Sequence, residues 1–392
     1  MVSDNLSGPT RTAHPSRRAL VVGAAAGAGL AAAASVGAPA PAVAREPAVT
    51  TPRPAAGPAA LRMAAAGDGG LRRASVRVGL TGRGRRSATV AGDPFSSVAL
   101  TWSAGSPALS VRVRNLDGVW QPWQAIGHLH DGPSVGTAEW RAARRTSATG
   151  LTWVGDADAI EVAADGPVSD LRVEMLDATP TELAPPGVSA RSAPMSRVYN
   201  RATWGADESL RTGEPTYLTG FQQVHVHHTA GANSYALADV PRILRSMLAY
   251  HTQTLGWSDI GYNLLVDRFG RAYEGRAGGV KRLVRGAHTL GFNHNSCGIA
   301  LMGNYETAKP PAAAVQQLEA LAAYKFDVRG QKALRKLHAA SEGSDKYPKG
   351  TVAYLWAMDA HRDTNDTACP GKHLYAAMND IRTRTQARID YY

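Results

Sequence analysis

The chain has 392 residues, of which 44% are hydrophobic and 19% charged, a balance typical of a folded protein long enough for two domains. It contains only two cysteines, which excludes a small disulfide-stapled scaffold, an all-cysteine zinc site and an iron–sulfur cluster. The formal net charge of +11 favours an anionic partner, such as nucleic acid, an acidic membrane or an anionic cell-wall polymer.

Residues 1–44 have the layout of an export signal. Arg17 and Arg18 precede an uncharged run rich in Ala and Gly, and Ala42-Val43-Ala44 supplies a small-x-small cleavage pattern. The arginine pair and the weakly hydrophobic run resemble a twin-arginine signal peptide. A membrane anchor is the alternative, but Ala- and Gly-rich sequence inserts poorly into a bilayer, and no later segment has 18 consecutive apolar residues. We therefore predict an exported protein with no membrane span after processing, for which nucleic acid is not an expected partner.

The region that follows reads as a linker, a β-rich domain and a second linker. Residues 45–70 are rich in Ala, Pro and Gly, as expected of a tether. Residues 71–177 contain short alternating segments such as 109–114, and Asp117-Gly118 is a strong hairpin signal, so a small antiparallel β-sandwich is predicted. Residues 178–196 are again rich in Pro and Ala and form the second linker.

Residues 197–392 differ in composition, because helical patterns appear there for the first time and alternate with strands. This alternation predicts an α/β domain with a central mixed β-sheet flanked by helices, preceded by the small mainly-β domain. The predicted strands are 223–228, 262–267, 271–274 and 297–302, and the predicted helices are one capped by Asp239, one over 311–328 and one after Gly371.

Histidine and cysteine residues in this domain have the spacing of a metal site. His225 and His227 lie on the same face of a predicted strand, because side chains alternate along a strand. Far downstream, His361 is followed eight residues later by Cys369. Two neutral imidazoles and one thiolate can hold Zn²⁺ and leave a fourth position open for water, as in catalytic zinc sites. Two alternatives remain at this point: the His225/His227 pair could chelate a metal alone, and Cys369 could form a disulfide with Cys297.

Seven motifs in chain order carry a resemblance to a known family. They are Arg201-Ala202-Thr203-Trp204-Gly205-Ala206, Val226-His227-His228-Thr229-Ala230-Gly231, Gly256-Trp257-Ser258-Asp259-Ile260-Gly261-Tyr262-Asn263, Tyr273-Glu274-Gly275-Arg276, Gly286-Ala287-His288, Gly298-Ile299-Ala300-Leu301-Met302-Gly303-Asn304-Tyr305, and the segment from His361 to Gly371. With them, residues 197–390 resemble the peptidoglycan recognition protein / type 2 N-acetylmuramoyl-L-alanine amidase family. The N-terminal half resembles, more vaguely, the leader regions of secreted actinobacterial amidases.

The resemblance implies a zinc site with two catalytic neighbours. His227, His361 and Cys369 match the family's ligands for one Zn²⁺, and Cys297 is then expected to be a buried thiol. Tyr262 and Thr367 match residues that stabilise the tetrahedral intermediate. Family members that only bind peptidoglycan lack the cysteine at this position, so its presence favours an enzyme.

The resemblance also implies a substrate groove. His251 matches a groove histidine, and Arg276 and His288 are expected to meet carboxylates of the stem peptide, since a guanidinium suits a carboxylate. Asn304 and Tyr305 match a stretch that touches the muramyl group.

The implied function is that of a secreted zinc-dependent hydrolase of the cell wall. It would cleave the N-acetylmuramoyl–L-alanine amide bond of peptidoglycan, with the muramyl peptide, and also anionic wall polymers, as partners. The alternatives are a non-hydrolytic peptidoglycan-binding protein and a zinc peptidase of the stem peptide, the latter disfavoured because H-E-x-x-H is absent. The proton donor to the leaving amine, the stem-peptide preference and the role of residues 331–357 stay open.

Overall fold

The computed structural model describes residues 61–67, 70–81, 84–144, 146–181 and 196–392, which belong to one compact unit. The predicted export signal and most of both predicted linkers lie outside the described residues. Among the helices of the described part, none combines the length and the apolar character that a membrane span requires. Below, "the N-terminal β domain" means the described residues from 61 to 181, and "the C-terminal α/β domain" means residues 196–392.

The N-terminal β domain is one antiparallel sheet of eight strands in the order β1-β2-β8-β3-β7-β4-β5, with β6 paired to β3. The long strand β3 pairs with β7 and then with β8, and its register shifts on both sides of Phe95, next to Pro94, which has no N–H to donate. Because β3 continues through this irregularity, it pairs with β7 along its first part and with β8 along its last part, and side chains of β3, β4, β7 and β8 share one core, as expected of the predicted mainly-β domain. The strands are β1 (Ala64–Ala65), β2 (Leu71–Arg77), β3 (Arg86–Trp102), β4 (Ala108–Asn115), β5 (Gln124–Ile126), β6 (Ser147–Ala148), β7 (Thr152–Asp165) and β8 (Arg172–Ala178), with helix α1 (Ala138–Ala142) between β5 and β6.

The predicted hairpin at Asp117-Gly118 is present. The N–H of Gly118 donates to the carbonyl of Asn115, and Arg114 pairs with Trp120 across the turn. Gly118 has a φ of 82°, the left-handed conformation that glycine adopts without strain.

The C-terminal α/β domain contains a six-stranded mixed sheet in the order β16-β10-β13-β11-β12-β9. Strand β10 lies between β16 and β13 and is parallel to both, and only the β11–β12 pair of this sheet is antiparallel. The mixed sheet flanked by helices is therefore confirmed. The strands are β9 (Val198–Tyr199), β10 (Gln223–His228), β11 (Leu264–Val266), β12 (Ala272–Glu274), β13 (Ser296–Leu301), β14 (Lys336–Ala340), β15 (Val352–Trp356) and β16 (Met358–Ala360).

The helices follow the predicted order with two corrections. Asp239 is the N-cap residue of the first of them, as predicted, but its side chain makes no capping hydrogen bond to that helix, because its carboxylate accepts from the N–H of Ala236 in the preceding turn. The helix predicted after Gly371 is two helices that join at Ala377. The helices are α2 (Val240–Ala249), α3 (Ala312–Asp327), α4 (His361–Thr364), α5 (Lys372–Ala376) and α6 (Met378–Tyr391).

The two faces of the mixed sheet pack against different partners. Val224 and Val226 point to a core shared with α3 and α6. The opposite face shares a second core with α2 and with the N-terminal β domain, which contributes Trp153 and Leu176. The Arg242 guanidinium on α2 adds an ion pair with Asp177, at 2.9 Å. The N-terminal β domain thus lies on the sheet face to which His225 and His227 belong, since side chains alternate along a strand.

Residues 331–357 contain an antiparallel hairpin made of β14 and β15. Its turn brings two acidic side chains toward the rest of the molecule: Glu342 pairs with Arg285, and Asp345 lies 3.1 Å from Nδ1 of His130. This segment therefore connects the C-terminal α/β domain to the loop that follows β5.

Candidate metal centre and groove

Strand register brings the two predicted histidine ligands together. β10 and β16 are parallel, with Val226 opposite Ala360, so the next residues of the two strands, His227 and His361, emerge at the same edge of the sheet. Both imidazoles are almost completely buried, and their ring centroids are 4.7 Å apart. The carboxyl ends of parallel strands are where α/β proteins commonly hold ligands.

Cys369 completes the group from the loop after α4. Its Sγ lies 3.7 Å from Nδ1 of His227 and accepts a hydrogen bond from the N–H of His228 at 3.4 Å. Ligand atoms of His227, His361 and Cys369 all lie within 4.8 Å of one another. Cys369 and Cys297, which both lie in the described part of the chain, are free buried thiols, so the disulfide alternative is not realised.

His225 does not join this group, although it shares a strand face with His227. Its Nδ1 is bonded to the Asp359 carboxylate at 2.5 Å, below the centre. The alternative in which the His225/His227 pair alone chelates a metal is therefore not supported by the geometry.

The three side chains fit a zinc ion in charge, donor type and hydrogen bonding. Within the described residues, neither ring nitrogen of His361 makes a hydrogen bond, although Asp131 Oδ1 lies 3.2 Å from Nδ1, and such an arrangement is costly for buried polar atoms unless a ligand engages them. Burial and the neighbouring histidines hold the pKa of His227 well below its usual value, so the ring is neutral, as a ligand must be. Two imidazoles with one thiolate form a donor set typical of zinc.

His227 is oriented by two buried groups. Its Nε2 lies 3.2 Å from Nδ1 of His288 and 3.3 Å from Oγ1 of Thr289, which directs Nδ1 toward Cys369. Hydrogen bonds of this kind fix the orientation of metal-binding histidines. His288 is completely buried, so the structure places it beneath the metal centre and not on the groove surface, where the sequence had predicted contact with stem-peptide carboxylates.

The two predicted catalytic residues flank the metal centre. The Tyr262 ring centroid is 5.3 Å from that of His227, and burial raises the pKa of Tyr262 well above its usual value, so the hydroxyl keeps its proton. Thr367 Oγ1 accepts from the N–H of Cys369 at 3.2 Å, which leaves the hydroxyl proton free to donate. Tyr262, Thr367 and His251 line one cavity of about 480 Å³ with His361 and Cys369.

The structure does not bring the remaining predicted groove residues together in one cavity. Nδ1 of His251 accepts from the N–H of Gly261, and Asn304 is half-buried. Tyr305 is 1% exposed and donates to the carbonyl of Met302, so its side chain is turned into the core and away from a muramyl group. Arg276 is buried and its guanidinium lies at a second cavity, of about 440 Å³.

Sequence reasoning did not identify Asp131, a residue of the N-terminal β domain that reaches the metal centre. Its Oδ1 lies 3.2 Å from Nδ1 of His361, and its Oδ2 accepts from the Tyr262 hydroxyl at 2.6 Å. Burial raises the pKa of Asp131 to about 7, although the Tyr262 hydrogen bond opposes this. The available signal was His128-Leu129-His130-Asp131-Gly132, a cluster of metal-binding residue types in a turn-rich segment.

Comparison with known proteins gives two family matches. Residues 219–372 match the family described as N-acetylmuramoyl-L-alanine amidase. Residues 40–193 match the family described as Rv3811 N-terminal galactose-binding domain-like.

Individual relatives cover the C-terminal half. Peptidoglycan-recognition protein SC2 of Drosophila simulans is 30% identical over 187 residues, which are 47% of this chain and 85% of that protein. The N-acetylmuramoyl-L-alanine amidase of Homo sapiens is 33% identical over 184 residues, which are 45% of this chain and 27% of that protein. Among solved structures, Drosophila PGRP-LB wild-type is 27% identical with a TM-score of 0.37, covering 47% of this chain and 92% of that one.

Proposed function

This chain belongs to the family of peptidoglycan recognition proteins and N-acetylmuramoyl-L-alanine amidases, and from that premise we propose that it is a zinc-dependent amidase. The proposed reaction is hydrolysis of the amide between the lactyl group of N-acetylmuramic acid and L-alanine. The observation that carries the proposal is the ligand set formed by His227, His361 and Cys369, whose ligand atoms converge within 4.8 Å.

Zinc bound by this ligand set would supply Lewis-acid chemistry and lower the pKa of water to about 7. The other contributions come from the chain itself. The protonated Tyr262 hydroxyl can donate to the oxygen that becomes negative when water adds to the amide carbonyl, and the free Thr367 proton can do the same. The amide C–N bond then breaks, leaving a lactyl carboxylate and the free amino group of L-alanine.

Substrate would enter the cavity that Thr367, His251 and Tyr262 line beside the ligand set. Arg276, with Asn304, remains a proposed contact for the stem peptide and the muramyl group, because a guanidinium can hold a carboxylate bidentately. The basic surface suits anionic wall polymers, since only three of the 43 Lys and Arg residues lie within the proposed export signal of residues 1–44. Export, by the twin-arginine route, to the cell wall is part of the same proposal.

The test is mass spectrometry of purified peptidoglycan after digestion by the chain from residue 45 onward, with and without a zinc chelator. We expect new free L-alanine amino termini, which disappear with the chelator and in Cys369→Ser. Cleavage at another peptide bond would leave the proposed metal centre in place but would show that the enzyme hydrolyses a different bond of peptidoglycan. Wall binding without any cleavage would favour a recognition protein that does not hydrolyse peptidoglycan.

A further inference from the structure

A segment of the N-terminal β domain crosses the groove of the C-terminal α/β domain. This segment, residues 127–143, is called the strap here; it follows β5 and contains α1. The strap lines both the cavity that holds the ligand set and the cavity at Arg276. A substrate that touched the ligand set and Arg276 together would have to take the place of the strap.

The first contact of the strap is at the metal centre. Asp131 Oδ1 lies 3.2 Å from Nδ1 of His361 and 3.9 Å from Nδ1 of His227, beside the three side chains whose ligand atoms all lie within 4.8 Å of one another but not as a member of that group. Among the described residues nothing donates a hydrogen bond to this oxygen, although it is buried. The other carboxylate oxygen is held by the Tyr262 hydroxyl at 2.6 Å, as outer hydrogen bonds hold carboxylates that bind metals.

The second contact of the strap is at Arg276. Glu139 on α1 binds the guanidinium through two hydrogen bonds, of 2.7 Å and 3.0 Å, in the bidentate geometry that a carboxylate ligand would use. The N–H of Ser258 also donates to Oε1 of Glu139, at 2.9 Å. The carboxylate of Glu139 therefore occupies the position proposed above for a stem-peptide carboxylate.

The strap is held by both polar and apolar contacts. Helix α1 has no buried residue, whereas residues 132–134 are buried and Leu129 and Ala143 pack against the second core. Further contacts are the Asn293 amide, which donates to the carbonyl of Gly132 at 3.0 Å, and the pairing of His130 with Asp345. The two acidic side chains of the strap can be exchanged for another ligand that offers the same charges, because the contacts of Asp131 with His361 and Tyr262 and of Glu139 with Arg276 are polar.

We propose that the strap is a built-in competitor of the substrate, in which Asp131 is a fourth, displaceable metal ligand and Glu139 occupies the carboxylate site at Arg276. Three protein ligands leave zinc an open position for water, whereas four close the coordination shell. The strap-bound protein therefore has no place for the attacking water until a muramyl peptide or another acidic ligand displaces Asp131. The proposal rests on the zinc site of the proposed function, but its first test does not depend on hydrolysis.

The first test uses the full-length chain loaded with cobalt(II) in place of zinc, because the visible spectrum of cobalt reports its ligands. Azide should leave the spectrum of the wild type unchanged and should alter that of Asp131→Ala, in which the fourth position is open. Asp158→Ala, which removes a carboxylate paired with Arg114 inside the N-terminal β domain, is the matched control and should behave as the wild type does. Asp131→Asn keeps the side-chain size and replaces the alanine variant if that variant does not fold.

An equal response to azide in the wild type and in both Asp131 variants would overturn Asp131 as a ligand. This readout separates the two proposals: if no variant cleaves peptidoglycan while the azide difference persists, the amidase assignment fails and the strap assignment stands.

The second test measures binding of a soluble muramyl peptide by calorimetry. If the strap covers the groove in about nine of ten molecules or more, Glu139→Ala should tighten the apparent affinity about tenfold or more. The control is Glu161→Ala, which breaks an ion pair with Arg112 within the N-terminal β domain and should leave the affinity unchanged. Equal binding by Glu139→Ala would show that Glu139 does not compete with the substrate, and weaker binding would make Glu139 part of the substrate site; either result would overturn the proposal.

Discussion

The ligand set and the strap meet in one cavity but are supported very differently. His227 lies in β10 and His361 directly follows β16, two strands in which every residue is buried, and Nε2 of His227 is hydrogen-bonded to His288 and Thr289. The strap reaches the same cavity with residues 127–131, which precede α1, and Asp131 is held there by a hydrogen bond from the Tyr262 hydroxyl. The difference indicates that the ligand set is a fixed part of the fold, whereas the strap is a segment that competing charges can move.

The largest expected effect comes from removing the thiolate of the ligand set. Cys369→Ser should lose bound zinc and at least about three orders of magnitude in hydrolysis, since a metal contributes several kcal/mol to such a reaction. Metal content by atomic absorption and the rate of L-alanine release are the measurements.

The matched control is Cys297→Ser, because Cys297 is the other buried free thiol and lies on β13. It should keep its zinc and lose only stability, by about 1–3 kcal/mol for a buried hydroxyl without a partner. Equal zinc content in the two serine variants would remove Cys369 from the ligand set.

A smaller effect is expected at Tyr262, which contacts both His227 of the ligand set and Asp131 of the strap. Tyr262→Phe removes the proposed donor to the developing negative charge, so kcat should fall about 10²- to 10³-fold while zinc content stays the same. The rate is to be measured at saturating muramyl peptide, so that a change in strap displacement does not affect it.

Tyr235→Phe is the control for this substitution. Tyr235 is equally buried, but its hydroxyl is bonded to the backbone of Met302 and Arg268 and it does not line the cavity of the ligand set. It should retain the full rate. A fall of the same size in both variants would mean that Tyr262 acts only through packing.

The convergence of His227, His361 and Cys369 was predictable because its determinants are local. Alternation along one strand, the His361 to Cys369 spacing and the family motifs all lie within short stretches, and parallel pairing of β10 with β16 then brings the stretches together. The mixed sheet and the helix over Ala312–Asp327 were predictable for the same reason.

The rest of the site depends on contacts between distant segments. His288 and Tyr305 belong to the family motifs, but packing turns both side chains into the core, and sequence spacing does not reveal this. Asp131 lies 96 residues before His227, and its carboxylate reaches the metal centre only because the N-terminal β domain packs against the α2 face of the sheet. A hydrophobic pattern predicts each core but not how two domains dock.

The smallest expected effect tests whether the strap is held by charge. Burial alone would raise the pKa of Glu139, but the Arg276 charge and hydrogen bonds outweigh it and hold the pKa below the usual 4.5. A carboxylate whose pKa is lowered by folding stabilises the folded state above its unfolded pKa, and this contribution is lost as the pH falls through the folded pKa. Glu139→Gln should therefore be less stable than the wild type near pH 7, and the difference should shrink as the pH falls below about 4. Urea unfolding across this range measures it, and a difference that stays constant with pH would show that packing, and not the ion pair with Arg276, attaches this end of the strap.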